Sequence, residues 1–286
     1  MEHKKLDRKS NKLASKALSG CLLALSVTAA YSGSMGPESI TSPGQIYVGV
    51  FGGGGGLTRT DISQFGSAFI PEANGGPLAV NSFGRSESSS TGMVGGHIGV
   101  TWSTILGEHL PVTPAFELEG YYMGGITIEG HDIDNNTLRI PEHDFLVKYP
   151  LKTGVFLVNA VLNSQKPVFG KFRPYAGIGI GSAVLSISGA TSIQTRPAEP
   201  GINHYNADTD DTAFAFAAQP KVGVRFDLNP HASVFAEYRF LYLSDTHYQF
   251  GSTVYAPTTH VATAPWLVKI KSQHYNMGSV GIEFDV

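Results

Sequence analysis

Two neighbouring stretches of the chain, residues 212–228 and 232–244, alternate between apolar and polar side chains. Only residues 229–231 join them. Because successive side chains of a β-strand point to opposite faces, each stretch predicts a strand with one apolar and one charged face. The apolar set is Phe214, Phe216, Ala218, Val222, Val224, Phe226, Leu228, Val234, Ala236, Tyr238, Phe240 and Tyr242. The opposite set includes Gln219, Lys221, Gly223, Arg225, Asp227, Glu237 and Arg239.

The length of these two stretches favours a membrane strand over a soluble one. A tilted strand crosses the hydrocarbon layer in roughly 9 to 11 residues, and both stretches are at least that long. A strand of a soluble sandwich would also alternate, but its apolar face would form the inside of the protein. Since the apolar sets are also rich in aromatic residues, the hairpin predicts a membrane β-barrel whose apolar face points outward.

Six further stretches complete an even number of strands. They lie near residues 45–53, 92–103, 112–123, 151–162, 172–186 and 273–286. In the fourth strand of the chain, 151–162, both parities are mostly apolar, so its facing stays open. The run Gly52 to Gly56 lacks the Lys-Ser/Thr of a phosphate-binding loop and is expected to be a flexible loop.

The connections between the strands alternate in length. The long ones are residues 54–91, 124–145, 187–211 and 245–271, and the short ones are 104–111, 163–171 and 229–231. Outer-membrane barrels place long loops outside and tight turns in the periplasm. The predicted fold is therefore all-β: an eight-stranded antiparallel transmembrane up-and-down β-barrel with four long, mobile external loops and short periplasmic turns.

The N-terminus predicts export. Six basic residues precede the apolar run 17–30, and Val27-Thr28-Ala29 offers the small residues that signal peptidase requires. We expect a cleaved signal peptide at 1–30, a flexible Ser-, Gly- and Pro-rich lead-in at 31–44, and the barrel at 45–286. A barrel exported in this way belongs in the outer membrane of a Gram-negative bacterium.

Two other interpretations of the N-terminus are weaker. A transmembrane helix needs about 20 apolar residues, and this run is shorter and interrupted by Ser and Gly. A lipoprotein signal ending at Cys21 is disfavoured because Lys16 leaves almost no apolar segment before the cysteine.

Removal of the signal changes what the composition implies. Of 20 basic and 23 acidic residues, six and two lie in residues 1–30, so the mature chain keeps 14 and 21, a formal charge of −7. That charge argues against a nucleic-acid partner, for which a basic stripe is the usual footprint. The only cysteine, Cys21, leaves with the signal, which excludes disulfides, thiol catalysis and cysteine metal clusters.

Several segments resemble a known family. The sequence of residues 172–181, FRPYAGIGIG, and the hairpin with Gly223-Val224-Arg225-Phe226 and Glu237-Tyr238-Arg239-Phe240 are similar to the OmpA-like eight-stranded outer-membrane barrels, a family that includes bacterial surface antigens. The resemblance covers about residues 45–286 without the loops. It implies membrane anchorage and surface contact, with no shared catalytic residues.

The C-terminus resembles the signal by which such chains are recognised by the barrel-assembly machinery. Its residues are Ser279, Gly281, Phe284 and Val286. Val286 stands where the family most often has Phe. A second departure is Pro220, inside a predicted strand; because proline removes a ladder hydrogen bond, we expect a bulge there.

The charged face predicts a filled lumen. Side chains just fill the interior of an eight-stranded barrel, and buried charges need partners. A three-residue turn pairs positions whose numbers sum to about 460, which sets Gly223 across from Glu237 and Lys221 across from Arg239. Glu237 is then diagonal to Lys221 and Arg225, within reach of long side chains. The like charges of Lys221 and Arg239 need an acidic neighbour, and Glu237 can serve as one. The predicted lumen charge network is Glu117, Glu119, Lys221, Arg225, Glu237, Arg239 and Glu283.

Other chemistry is weakly indicated. The loops contain His and Asp residues that could ligate a cation but lack the pattern of a calcium loop, so we interpret them as solvated polar surface and predict no metal or cofactor. They are His131, Asp132, Asp134, His143, Asp144, His204, Asp208, Asp210 and Asp211. Four residues at the predicted external rim, Ser244, Asp245, His247 and His274, allow an alternative enzyme resembling lipid A deacylases.

The leading interpretation is a non-enzymatic outer-membrane surface protein without catalytic residues, which acts in envelope structure and in surface interaction through its external loops. Its expected partners are outer-membrane lipid and lipopolysaccharide, the barrel-assembly machinery, and an extracellular or host ligand bound by the external loops, as in adhesion. A small pore or transport protein is the other alternative.

Overall fold

The computed structural model describes residues 44–286 except 103–105, 107–110, 135–138, 169 and 257–258. The predicted signal peptide and all but the last residue of the lead-in lie outside the described residues. No helix in the described part of the chain is long and apolar enough to cross a membrane.

The described residues are almost entirely β-strand. In chain order the strands are β1 Gln45–Leu57, β2 Asp61–Ala68, β3 Leu78–Ser86, β4 Ser89–Thr101, β5 Val112–Asp134, β6 His143–Ser164, β7 Phe172–Ile187, β8 Thr191–Arg196, β9 Asp211–Asn229, β10 Ala232–Leu243, β11 Thr246–Phe250, β12 Trp266–Ile270 and β13 Gln273–Asp285. One short 3-10 helix, Glu72–Asn74, lies between β2 and β3.

Eight of these strands close into a ring. The order around it is β1, β4, β5, β6, β7, β9, β10 and β13, and β13 pairs back with β1. Every pair is antiparallel, so the backbone groups are satisfied between neighbours all round the ring, as a bilayer requires. The predicted eight-stranded antiparallel fold is confirmed.

The ring is apolar outside and charged inside. Phe214 and Val280 are 63% and 66% exposed, whereas Lys221 and Arg239 are only 2% and 0% exposed. This is the reverse of a water-soluble protein, and it confirms the facing predicted for the hairpin. The facing that the sequence left open is also settled: along β6, Phe156 points outward and the odd positions point inward.

The register of the β9–β10 hairpin is the predicted one, with Glu237 opposite Gly223 and Arg239 opposite Lys221. The prediction of a bulge at Pro220 is wrong. The pairing register of β9 with β10 and with β7 is the same before and after Pro220, so no extra residue is inserted there. The β9–β10 ladder instead loses pairing locally, so the missing N–H is tolerated without an inserted residue. The register shift of this hairpin lies at Ala232/Ser233, beside the turn.

Strands β5 and β6 continue beyond the membrane. A shift at Met123/Ile126, where Gly125 has φ +73°, marks the point of departure. Beyond it the outward positions carry Glu129 and Lys148, which form an exposed ion pair of 2.9 Å in place of apolar contacts. The long loop expected at 124–145 is therefore wrong: most of it is a hairpin that extends outside the bilayer.

The other long connections also contain strands. β2, β3, β11 and β12 extend the sheet in the order β11-β12-β2-β3-β5, and β8 pairs with β6. We call the described parts of residues 58–88, 125–151, 188–210 and 244–272 the external cap. It has its own core of fully buried aromatics, which are Phe145, Tyr149, Tyr205, Phe250 and Trp266. The expectation of mobile external loops is wrong, because each segment buries apolar side chains against the others.

The glycine run 52–56 is part of β1 and not a loop. A Cβ on Gly53 would lie 2.1 Å from the carbonyl oxygen of Gly278, and one on Gly55 would lie 2.0 Å from that of Asn276. These glycines therefore let β13 approach β1 closely at the external end of the ring.

Candidate functional site: a charged lumen beneath an ordered cap

The seven residues of the predicted lumen network all lie inside the ring. They come from β5, β9, β10 and β13, and each occupies the inward parity of its strand. Six are buried, and the side chain of the seventh, Arg225, is 12% exposed. The structure brings them together in two clusters, one at mid-lumen and one nearer the periplasmic end.

The mid-lumen cluster is centred on Lys221. Its Nζ donates to Glu117 Oε2 at 2.6 Å and to Glu119 Oε2 at 2.9 Å. Because β6 and β7 separate β5 from β9 on the ring, these ion pairs cross the lumen. Glu237 was predicted to serve both Lys221 and Arg239, and the structure pairs it with Arg239 and not with Lys221. The pairing register describes contacts along the wall, whereas a long lysine side chain reaches across a narrow barrel.

Glu237 instead binds the neighbouring arginine. Arg239 donates from Nε to Glu237 Oε1 at 2.5 Å and from Nη1 to Glu119 Oε1. Its guanidinium lies 3.9 Å from the ring centroid of Phe51, a cation–π contact in a dry environment. Tyr175 donates to Glu237 Oε2 at 2.9 Å. Arg239 therefore joins two carboxylates at a position that solvent does not reach.

The second cluster is built around Glu283. Arg225 Nη2 donates to Glu283 Oε2 at 2.9 Å, and Arg225 Nη1 donates to Asn163 Oδ1 at 2.9 Å. His97 Nε2 lies 3.1 Å from the same Glu283 oxygen. A cavity of about 450 Å³ lies at this periplasmic end and is lined in part by Arg173, Arg225 and Glu283.

Sequence reasoning missed the neutral members of the network. Tyr47 donates to Glu117 Oε1 at 2.9 Å, and Gln219 Nε2 donates to Glu119 Oε1 at 3.2 Å. Asn159 Nδ2 lies within 3.3 Å of one oxygen of each glutamate. Asn159 was detectable as the one polar side chain in the otherwise apolar stretch 154–162. Together these donors satisfy carboxylates that would otherwise be costly to bury.

The cap residues interpreted as solvated polar surface divide into two groups. Asp132, Asp134 and His204 are buried, so that interpretation is wrong for them. Neither carboxylate oxygen of Asp132 has a hydrogen-bond partner among the described residues. Burial, with a smaller contribution from the Asp144 carboxylate, raises the pKa of Asp132 to about 7. His131 and Asp144 form a surface contact of 2.8 Å.

A family comparison agrees with the closed ring of antiparallel strands. The family described as the outer membrane protein beta-barrel domain matches residues 19–264. The chain belongs to this family. It is an outer-membrane protein of the Gram-negative envelope, as the sequence predicted.

Solved structures of outer-membrane proteins match this chain at low identity. OprG from Pseudomonas aeruginosa is 14% identical, with 85% of this chain and 98% of that chain covered and a TM-score of 0.44. Neisserial surface protein A is 12% identical, with coverage of 84% and 97% and a TM-score of 0.33. The outer membrane protease OmpT from Escherichia coli is 9% identical, with coverage of 87% and 99% and a TM-score of 0.34. These similarities carry no argument about ligand or activity. A search of the curated proteins finds no match.

The residues of the expected assembly signal have distinct positions in this family member. Ser279 points inward and donates to Glu237 Oε1 at 3.1 Å. Gly281 leaves no room for a side chain, since a Cβ would lie 2.4 Å from the carbonyl oxygen of Val50. Phe284 and Val286 are exposed at the periplasmic edge. The two outer residues are therefore free for contact with another protein, and their role in assembly stays a prediction.

The alternative interpretation as an enzyme needs the four rim residues to act together, but the structure gives them different surroundings. Ser244 Oγ accepts a hydrogen bond from the backbone N–H of Phe216 at 3.0 Å. Asp245 pairs with Lys269 at 2.9 Å, and His274 stacks on Phe240 with ring centroids 5.8 Å apart. His247 is exposed on β11. The structure does not bring Ser244 within hydrogen-bond distance of a histidine in the described part of the chain.

Proposed function

We propose that this outer-membrane barrel is a non-enzymatic surface protein, in which a plugged barrel anchors an ordered cap that contacts a ligand outside the cell. One observation carries the proposal: Lys221, Arg239 and their carboxylate partners span the lumen and are almost completely buried. A lumen closed in this way leaves no continuous aqueous path, which argues against the pore alternative.

The cap offers a surface for contact. Phe83 is 59% exposed and packs edge-to-face on Phe65 with ring centroids 5.6 Å apart, and Leu267 is paired with Phe65 across the β2–β12 ladder. Contiguous apolar side chains on an ordered surface are typical of interaction sites. The apolar outer face of the ring contacts membrane lipid, and we expect lipopolysaccharide beside the cap.

Planar-bilayer recordings test the lumen. The purified barrel should show no large, stable single-channel conductance at neutral pH, because the ion pairs block the path. A matched variant, Lys221→Ala with Arg239→Ala, removes both side chains that cross the lumen and should conduct if it folds. Large, stable channels in the unaltered protein would overturn the plugged-lumen account.

Binding by displayed protein tests the cap. Cells that display the protein should bind one of two immobilised probes, host-cell surface glycoproteins or purified lipopolysaccharide, more than cells without it. Phe83→Ser with Leu267→Ser should lose this binding, while the surface control Lys148→Ser should keep it. Binding to neither probe would overturn the role in surface interaction. Deleting residues 187–211 is a poorer test, because it would remove the buried Tyr205 from the cap core.

A further inference from the structure

Three potential metal ligands converge inside the cap. Glu199 and His204 lie in the connection between β8 and β9, and His260 lies in the connection between β11 and β12. Glu199 Oε2 is 3.5 Å from His204 Nε2 and 3.2 Å from His260 Nε2. The three ligand atoms all lie within 4.8 Å of one another.

Hydrogen bonds to the backbone fix which ring nitrogen donates in both imidazoles. His204 Nδ1 is 2.9 Å from the carbonyl oxygen of Ser192, and His260 Nδ1 is 2.6 Å from that of Val261. A carbonyl oxygen only accepts, so each Nδ1 must be the donor. In the neutral rings, this leaves the lone pair of each Nε2 toward Glu199. Metal-binding histidines are oriented in the same way, with the second ring nitrogen donating to a carbonyl.

The arrangement directs three electron-pair donors toward one point when both rings are neutral. Two imidazole lone pairs and a carboxylate oxygen repel one another unless a proton or a metal ion lies between them. Glu199 Oε2 is buried and makes no well-aligned hydrogen bond with any described residue, so a proton would be poorly placed. Zinc–nitrogen and zinc–oxygen bonds of about 2.0–2.2 Å give a tetrahedral edge of about 3.3–3.6 Å, close to the two distances between Glu199 and the histidines.

We propose that Glu199, His204 and His260 bind a divalent transition metal, with Zn²⁺ the best match to a set of two imidazoles and one carboxylate. The fourth position faces a cavity of about 140 Å³ that His143 and Gln194 also line. A water molecule in this cavity would complete the coordination.

The proposed site has a structural consequence. His204 lies edge-on to Phe145 and Trp266 in the cap core, with ring centroids 5.2 and 5.7 Å away. A metal held by His204 and His260 would tie two connections that lie 56 positions apart in sequence to this core. Binding should therefore protect the cap against local opening, since a ligand that binds only the closed form stabilises it.

Metal titration of the full-length mature protein in detergent micelles tests the proposal. After treatment with a chelator, the barrel should bind one Zn²⁺ per chain in competition with a chromophoric chelator. His260→Ala and Glu199→Gln should each weaken this binding at least tenfold. His247→Ala, which removes an exposed histidine of the same cap, should leave it unchanged.

A second measurement covers the case in which the variants do not fold. Limited proteolysis of the unaltered protein should cut residues 251–265 more slowly with Zn²⁺ than with the chelator, and Mg²⁺ should give no protection. Binding that His247→Ala weakens as much as His260→Ala does would overturn the site, as would no binding and no protection. In that case Glu199 and a protonated His260 form an ion pair only.

Discussion

Replacing Lys221 by Met should destabilise the barrel more than any other single change in the lumen. Methionine keeps the packing of the lysine stem but removes the ammonium group that binds Glu117 and Glu119. Glu119 keeps Arg239 as a partner, whereas Glu117 retains only the neutral donors Tyr47 and Asn159. The variant therefore leaves a buried carboxylate without a countercharge.

The size of the effect follows from these contacts. Two hydrogen bonds to charged groups contribute roughly 1.5–3 kcal/mol each, and removing one partner of a buried ion pair costs about 3–5 kcal/mol. These two estimates describe the same loss, so we expect about 4 kcal/mol. At a urea dependence of about 2–3 kcal/mol per molar, the unfolding midpoint should fall on the order of 1–2 M.

Urea unfolding in lipid vesicles, followed by tryptophan fluorescence, measures the change. Lys148→Met is the matched control, because it breaks an exposed ion pair with Glu129 and should cost less than about 1 kcal/mol. Adding Glu117→Gln to Lys221→Met should recover about half of the lost stability, since the uncompensated charge is removed. Equal midpoints for Lys221→Met and Lys148→Met would refute the buried network.

Three further predictions concern other parts of the molecule. Glu237→Ala should cost about 3 kcal/mol in the same assay, because Arg239 loses one of its two carboxylates; an unchanged midpoint would count against this. The pKa of Asp132 is about 7 in the folded protein and 3.8 in the unfolded chain. Below pH 4 the carboxyl is protonated in both states and does not reduce the stability of the cap. As the pH rises from 4 to 7 the unfolded chain loses this proton first, which lowers the free energy of unfolding by up to about 4 kcal/mol. Asp132→Asn should therefore slow hydrogen exchange in the cap at pH 8 but not at pH 3.5, and an equal change at both would contradict the assignment. Val286→Ser should slow assembly by the barrel-assembly machinery without changing the urea midpoint, since Val286 is 84% exposed; unchanged assembly kinetics would remove Val286 from the signal.

The barrel could be predicted because its strands carry a period of two over a length that a bilayer requires. The alternation along 212–228 fixed both the facing of Phe214 and, with a three-residue turn, the pairing of Arg239 with Lys221. The facing of β6 could not be predicted, since its inward side is largely apolar and few polar residues mark it, among them Thr153, Asn159 and Asn163.

The cap could not be predicted because its strands are short and its contacts are distant in sequence. β11 and β12 have five residues each, too few to cross a bilayer. The Tyr205 hydroxyl donates to Gln64 Oε1, 141 positions away in the sequence. No local sequence pattern predicts such a contact. The same holds for His260 and Glu199, which lie 61 positions apart and match no metal-binding motif. The ion pairs across the lumen could not be predicted either, because they depend on which strands of the closed ring face each other.

In a membrane-spanning barrel, lipid covers the outer face of the ring. Spin labels on single cysteines test this directly. In a Cys21→Ser background, labels at Phe216→Cys and Val222→Cys should collide with oxygen far more than with a water-soluble paramagnetic reagent. A label at Asn229→Cys, in the exposed turn, should show the opposite preference. If the labels at 216 and 222 preferred the water-soluble reagent, the apolar face would not lie against lipid and the barrel would not span the membrane.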